Sequence, residues 1–413
     1  MSSIPLARIE DLLAGPDAAL ARRYPGAPTA RQPVHSVYVP ADKVDGGTIR
    51  AWGSAALESL AAAGGPGRLL EVHGQLPAGV QRDRVADLVV AKLASEPIED
   101  LRIDLEDGFG DVGDAAEDAA VDAAVATIGE LIEDGALPPF VGIRFKSFER
   151  PSRARGLRTL ERFLTGLHRG PGLPPGLVLT LPKVTSVEQV QAMVIALEAL
   201  ELALGLRSGA LTFEIQVETP QAVLGPDGTS LLPPMIAAGQ GRVTGMPYGT
   251  YDYSASLGIA AGDQAMDHPA ADHAKAVMQV AAAGTAVRLS DGSTNVVPTG
   301  DGAAIDAAWA LHGRLVTRSL HRGFFQGWDL HPAQLPSRYA ATYAFFRTGL
   351  AGIVERLDAY LGRRAGAVMD EPATARAMAS FLVRGLDCGA VDEAEIPFAA
   401  DDLRALLAPR PSG

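Results

Sequence analysis

Short apolar runs alternate along this chain with longer stretches whose apolar positions recur at helical spacing. The runs that read as strands are Ser36–Pro40, Leu101–Leu105, Val141–Phe145, Leu177–Leu181, Leu211–Val217, Arg242–Met246, Thr285–Leu289 and Gly323–Leu330. A further run, Arg68–His73, reads as an extra strand in the first long connection. The clearest helix follows the fourth run. Ser186 and Gln189 form a capping box, and Val187, Val190, Met193, Val194, Leu197 and Leu200 share one face. The segment Ala115–Asp134 is acidic on one side and rich in Ala, Val, Ile and Leu on the other, the pattern of a helix lying on a sheet.

Eight strands interleaved with helices predict an α/β fold, a (β/α)8 TIM barrel with an N-terminal extension and a C-terminal helical tail. The rival is an open doubly wound sheet, which usually carries a glycine-rich phosphate loop after its first strand. Here that strand leads into Val39-Pro40-Ala41-Asp42-Lys43, with no such loop. The expected division is 1–33 for the extension (a short helix, then Pro25, Pro28 and Pro33), 34–365 for the barrel, and 366–413 for the tail. The tail's helices, Ala373–Arg384 and Asp401–Leu407, follow Arg338–Leu361 and exceed what closing a barrel needs, which suggests a lid or an oligomerisation segment.

Composition narrows the function. The 413 residues carry a formal charge of -13, which disfavours nucleic acid and anionic membrane as partners held by bulk charge. No stretch reaches the length of a membrane span, and Glu10 and Asp11 interrupt the start of the chain, so a soluble cytoplasmic protein is the expectation. The single cysteine, Cys388, excludes an internal disulfide and a multi-cysteine zinc site, and it reads as a small packed residue.

Barrel enzymes place their chemistry at the C-terminal ends of the strands. Here those ends carry Asp104-Leu105-Glu106-Asp107, Arg144, Pro182-Lys183, Glu218-Thr219-Pro220, Tyr251-Asp252-Tyr253 and Asp329-Leu330-His331. Glu218 and Asp252, from neighbouring strands, suit one hard cation: Mg2+ takes one or two protein carboxylates with waters and substrate completing its shell, and Mn2+ is an acceptable substitute. Arg144, on another strand end, is placed to hold a carboxylate or an enolate oxygen. Asp267-His268 and Asp272-His273 imitate a metal cluster but sit where a helix starts, and read as helix-start capping. Asp291-Gly292-Ser293-Thr294-Asn295 reads as a turn. His331 is either a hydrogen-bonding residue at the strand end or part of the rim.

In order, Ser36–Pro40 with Ala41, Asp104-Leu105-Glu106-Asp107-Gly108, Ile143-Arg144, Leu181-Pro182-Lys183-Val184, Val217-Glu218-Thr219, Gly249-x-x-Asp252-Tyr253-x-x-x-Leu257-Gly258 and His331-Pro332-Ala333-Gln334 resemble the HpcH/HpaI aldolase, citrate lyase β-subunit and malyl-CoA lyase family of the phosphoenolpyruvate/pyruvate barrel superfamily. The resemblance spans about 34 to 350. It implies a Mg2+-dependent lyase or aldolase that makes or breaks a carbon–carbon bond beside a 2-oxo or 3-hydroxy acid. By position it implies Glu218 and Asp252 as metal ligands and Arg144 on the substrate. Asp104 and Asp107 would orient metal-bound water, with Asp107, Pro220 and His331 around the substrate. Asp104, Lys183 and His331 remain open as general base. It also implies a homo-oligomer, trimer or hexamer. The chain departs from the family at His35, where an arginine is usual, at Lys146 in the family's R-x-N, and in lacking a lysine before His331-Pro332. These losses weaken the case for a CoA thioester and favour a free acid. An acyl-thioester hydrolase and a non-catalytic metabolite-binding barrel are the competing readings.

Overall fold

The computed structural model describes residues 4–26, 30–74, 81–362 and 371–408. Pro28 and the expected 365/366 boundary lie outside the described residues. Eight parallel strands run β1 (His35–Pro40), β2 (Asp100–Asp104), β3 (Phe140–Arg144), β4 (Leu177–Leu181), β5 (Phe213–Ile215), β6 (Val243–Pro247), β7 (Arg288–Ser290) and β8 (Gly327–Asp329). Their order is β7-β6-β5-β4-β3-β2-β1-β8. A parallel bridge between Ser290 and Gln326 brings the two ends together, and Asp291 N donates to Gln326 O at 2.8 Å. The sheet is therefore a nearly closed TIM barrel with helices between successive strands.

Strand alternation explains the interior. In β2, Leu101 and Ile103 face the helical layer while Asp100, Arg102 and Asp104 alternate with them; in β5, Phe213 and Ile215 alternate with Glu214. The barrel axis is consequently filled by charge where branched aliphatics are usual. Arg102 donates to Asp100 at 2.6 and 2.7 Å, to Thr180 at 2.8 Å and to Glu214 at 2.9 Å. Ser36 donates to the same Asp100 at 2.6 Å. Such a layer is tolerated only because each charge has its partner.

Arg68–His73 is not a strand. Leu69 and Leu70 are fully buried in the helix Gly65–Val72, which lies in the connection from β1 to β2 between the helices Thr48–Ala62 and Arg82–Ser95. Gly64, at φ +97°, and Pro66 set its start, and a short apolar run cannot by itself distinguish strand from helix. The capping box of Ser186 and Gln189 is present and opens Val187–Leu204. The tail helices, Pro372–Asp387 and Ala400–Leu407, pack on each other, and the first of them lies along Leu335–Leu361. Leu382, Val383, Leu403 and Leu407 are buried within this one chain. No described helix is long and apolar enough to cross a membrane.

Candidate active site at the barrel mouth

β2 ends at Asp104 and β3 at Arg144, and their paired register puts the two side chains beside each other. Arg144 Nε and Nη2 donate to the two oxygens of Asp104, each at 2.7 Å, and Nη1 lies 3.4 Å from Glu106. The guanidinium also sits over the rings of Tyr38 and Trp328, at 5.0 and 5.4 Å. Burial opposes its charge, yet Asp104 outweighs that and holds Arg144 well above its ordinary range. Asp104 accepts two further bonds, from Glu106 N at 3.1 Å and Gly108 N at 2.8 Å. A side chain at Gly108 would put its Cβ 2.6 Å from Asp104 Oδ2, so the tight loop after β2 needs glycine there.

Lys183 follows β4 and has φ +52°, a left-handed conformation rare outside glycine. That turn aims its backbone N–H at Glu218 Oε1, 2.7 Å away. Its ammonium lies 2.7 Å from Glu106, 2.7 Å from Asp107 and 3.6 Å from Asp252. Burial disfavours the ammonium, but Glu218 and Glu106 outweigh it and hold Lys183 above its ordinary range. Lys183 therefore stays a protonated ammonium at neutral pH. Asp107 is held down, its burial outweighed by Lys183, and Glu106 is pushed up by burial against the pull of Arg144 and Lys183.

Glu218 is 1% exposed, whereas the Asp252 side chain is 44% exposed. Glu218 Oε2 accepts from the Gln216 amide. Burial, reinforced by Asp252 and Glu106, pushes its carboxyl up to about 8 despite Lys183 and Arg144. A Cβ at Gly249 would fall 2.8 Å from Glu218 Oε2, so glycine leaves this oxygen's flank open. Among the described residues no group of three or more His, Cys, Asp or Glu could hold a metal ion by itself. The donor set present is two carboxylates, one buried and one at the solvent edge. That fits a hard cation finishing its shell with water and substrate, and it does not fit a fully protein-caged metal.

The remaining candidates separate clearly. His331 Nδ1 accepts from Ala333 N at 3.1 Å and caps a short 3-10 turn; burial lowers its pKa. Pro220 opens the short helix Pro220–Val223 directly after Glu218-Thr219. His268 caps Pro269–Ala282 by accepting from Ala270 N, while His273 lies inside that helix and does not open it. Asp267 pairs with Arg314, and Asp272 with Arg318 and Arg322. Asp291 is buried and binds Lys275 Nζ at 2.9 Å through both oxygens, a structural anchor and not only a turn residue. Lys146 bonds the carbonyls of Leu105 and Gly110 and pairs with Glu117, so it braces the loop after β2. His35 is fully buried and bonds Asp329 at 2.7 Å. Burial pushes the Cys388 thiol up to about 12, leaving it inert.

Sequence reasoning placed Glu106 at the end of the second strand and Trp328 as a pocket wall or packing residue; it did not foresee that these two and Tyr38, whose ring lies 4.0 Å from that of Trp328, frame Arg144. It also missed the charged axis below them. The signal was present in Asp100-x-Arg102-x-Asp104 and Glu214-x-Gln216-x-Glu218, where polar residues recur at every second position of runs otherwise apolar.

A family model described as a domain of unknown function (DUF6986) matches residues 13–410. No curated protein matches the chain. Among solved structures, the malate synthase of Haloferax volcanii in a magnesium/glyoxylate complex aligns with TM-score 0.53 at 12% identity, covering 91% of this chain and 97% of that one. The same enzyme in a pyruvate/acetyl-CoA ternary complex aligns with TM-score 0.51 at 14% identity over 86% and 91%. CitE from Mycobacterium tuberculosis, in complex with magnesium, acetoacetate and coenzyme A, gives TM-score 0.49 at 18% identity over 88% and 100%. At these identities the malate synthase likeness establishes a shared barrel fold.

Proposed function

For this chain, which belongs to the family described as a domain of unknown function (DUF6986), we propose a Mg2+-dependent barrel enzyme that makes or breaks a carbon–carbon bond beside the carbonyl of a small 2-oxo or 3-hydroxy acid. The observation that carries this reading is the meeting, at one mouth, of buried Glu218, solvent-edge Asp252 and a guanidinium held rigidly by Asp104. The magnesium and small-acid complexes of malate synthase, a barrel of the same fold, support it.

Glu218 and Asp252 would hold the cation, which when bound supplies a Lewis acid for the substrate carbonyl. Arg144 would hold the substrate carboxylate or the enolate oxygen, and its fixed seat keeps that donor in place as negative charge develops. Asp104 serves as a positioning residue, since Arg144 and two backbone amides occupy its oxygens. Lys183, held protonated by the surrounding carboxylates, would keep a fixed positive charge beside the negative charge that develops on the substrate. Asp107 and Glu106 hold that ammonium at the mouth. Assembly as a trimer or hexamer belongs to the same proposal, and light scattering checks it.

The test is an assay of the purified protein for pyruvate, oxaloacetate or glyoxylate release, run with and without Mg2+ and with free-acid and CoA-thioester substrates in separate arms. Mg2+-dependent product in either arm supports the reading, and the arm that responds names the acyl form. Absence of turnover in both, with Mg2+ bound, would leave a metabolite-binding barrel.

A further inference from the structure

At the opposite end of the barrel, before the starts of β1, β7 and β8, lies a cavity of about 250 Å3. Gln32, Gln279, Ala286, Arg288, Phe325 and Arg384 line it. Arg384 comes from the tail helix Pro372–Asp387, so the cavity is built jointly by barrel and tail. We propose that this cavity binds a small oxyanion, a carboxylate or phosphate group, through Arg384 with Arg288 alongside.

Three observations point there. First, no carboxylate among the described residues lies within ion-pair distance of Arg384: Asp387, three residues on, is taken by Arg404 at 2.6 Å. Burial lowers Arg384 to about 10, with Asp387 nearby opposing the shift and Arg288 adding like-charge repulsion. A half-buried guanidinium in this state gains from any anion that reaches it. Second, the group is seated. It donates to Gln32 Oε1 at 2.5 Å and lies over the face of Phe325 at 4.4 Å. Gln32 is fixed in turn by donating to Leu289 O at 3.1 Å and Gln326 Oε1 at 3.2 Å. Gln326 continues to Ser36 at 3.0 Å, and Ser36 to Asp100. The seat is thus tied to the charged axis of the barrel. Third, Arg288 has only a long contact with a carboxylate, 3.8 Å to Glu214, whose other oxygen is held by Arg102. The volume falls below the ~300–1,000 Å3 of pockets for drug-sized ligands, so a small anion is the fitting class.

Isothermal titration calorimetry on the full chain tests this, with inorganic phosphate and malonate as separate probes. At least one should bind with one-to-one stoichiometry, and the tighter of the two identifies the anion class. Arg384→Gln should weaken it roughly tenfold to hundredfold, as expected when one charge-assisted hydrogen-bonding partner is lost. Gln279→Glu, which keeps Arg384 and adds a repelling carboxylate at the cavity wall, should weaken it as well. That variant decides the matter if Arg384→Gln does not fold. Binding by neither probe would overturn the proposal. So would binding that survives both cavity variants, or binding lost in Arg144→Lys and kept in Arg384→Gln, because the anion would then sit at the mouth.

Discussion

Three side chains hold the Arg144 guanidinium in place. Asp104 fixes the guanidinium plane, and Tyr38 and Trp328 present their ring faces to it. A lysine cannot reproduce that forked contact. Arg144→Lys should therefore keep the charge and lose turnover by ~10²–10³, the range for removing a transition-state donor; near-normal kcat in a steady-state assay would make Arg144 structural. Glu218→Gln should lose most Mg2+ affinity in calorimetry while the far-UV circular dichroism stays native, since a neutral amide is a poor ligand for a hard cation. Unchanged Mg2+ binding would remove Glu218 from the site. That Arg144, Glu218 and Asp252 lie at one mouth was legible because strand-end polarity is a local property of the sequence. Lys183 was legible as a strand-end base, but its shared pairing with Glu106 and Asp107 was not. That pairing depends on a left-handed turn and on neighbours 76 and 77 residues apart.

The elements carry a second charged cluster, one no motif announced. Asp329 on β8 is bound by His35 from β1, by Arg338 from Leu335–Leu361 at 2.8 Å, and by His312 from Gly302–His321 at 3.1 Å. His35 thus clamps β1 and β8 together through Asp329. Burial lowers the pKa of His312, with Asp329 opposing and Arg338 assisting, and burial lowers nearby His73 too. For such a group the unfolded chain takes up protons first, below its ordinary ~6.5. The His312 contribution is therefore fully present above about 6.5 and is lost as pH falls below it. Calorimetric Tm should hold near neutrality and decline on acidification from that point, and His312→Gln should flatten the decline. A decline of the same slope in the variant would assign it to other groups. All eight strands were readable from their apolar runs, while the run at Arg68–His73 was misread because Leu69, Leu70 and Val72 suit either element and its helical neighbours supply the deciding contacts.

At the scale of the whole molecule, the tail answers to packing before function. The sequence raised the question of how its apolar residues avoid water, and the chain answers it internally: Leu382, Val383 and Met378 are buried, Phe381 lies against Phe345 and Phe346, and Tyr343 donates to Cys388 O at 3.0 Å. Arg384 meets Gln32 before β1, at the end of the barrel away from the mouth, so the helix Pro372–Asp387 packs at the end opposite the candidate site. This was illegible because the apolar spacing of a helix shows that a face is buried and not which surface buries it. Removing residues 371–413 would leave Tyr343 and Phe346 without that cover. Exposing one such side chain costs about 1.5–3 kcal/mol, and a folded chain has only about 5–15 kcal/mol in reserve. The truncated protein should melt well below the full chain or fail to remain dispersed, whatever its activity. Differential scanning calorimetry paired with size-exclusion light scattering reads both outcomes. A truncated chain that keeps the native Tm and loses only its assembly mass would show instead that the tail acts between subunits and contributes nothing to the barrel that carries it.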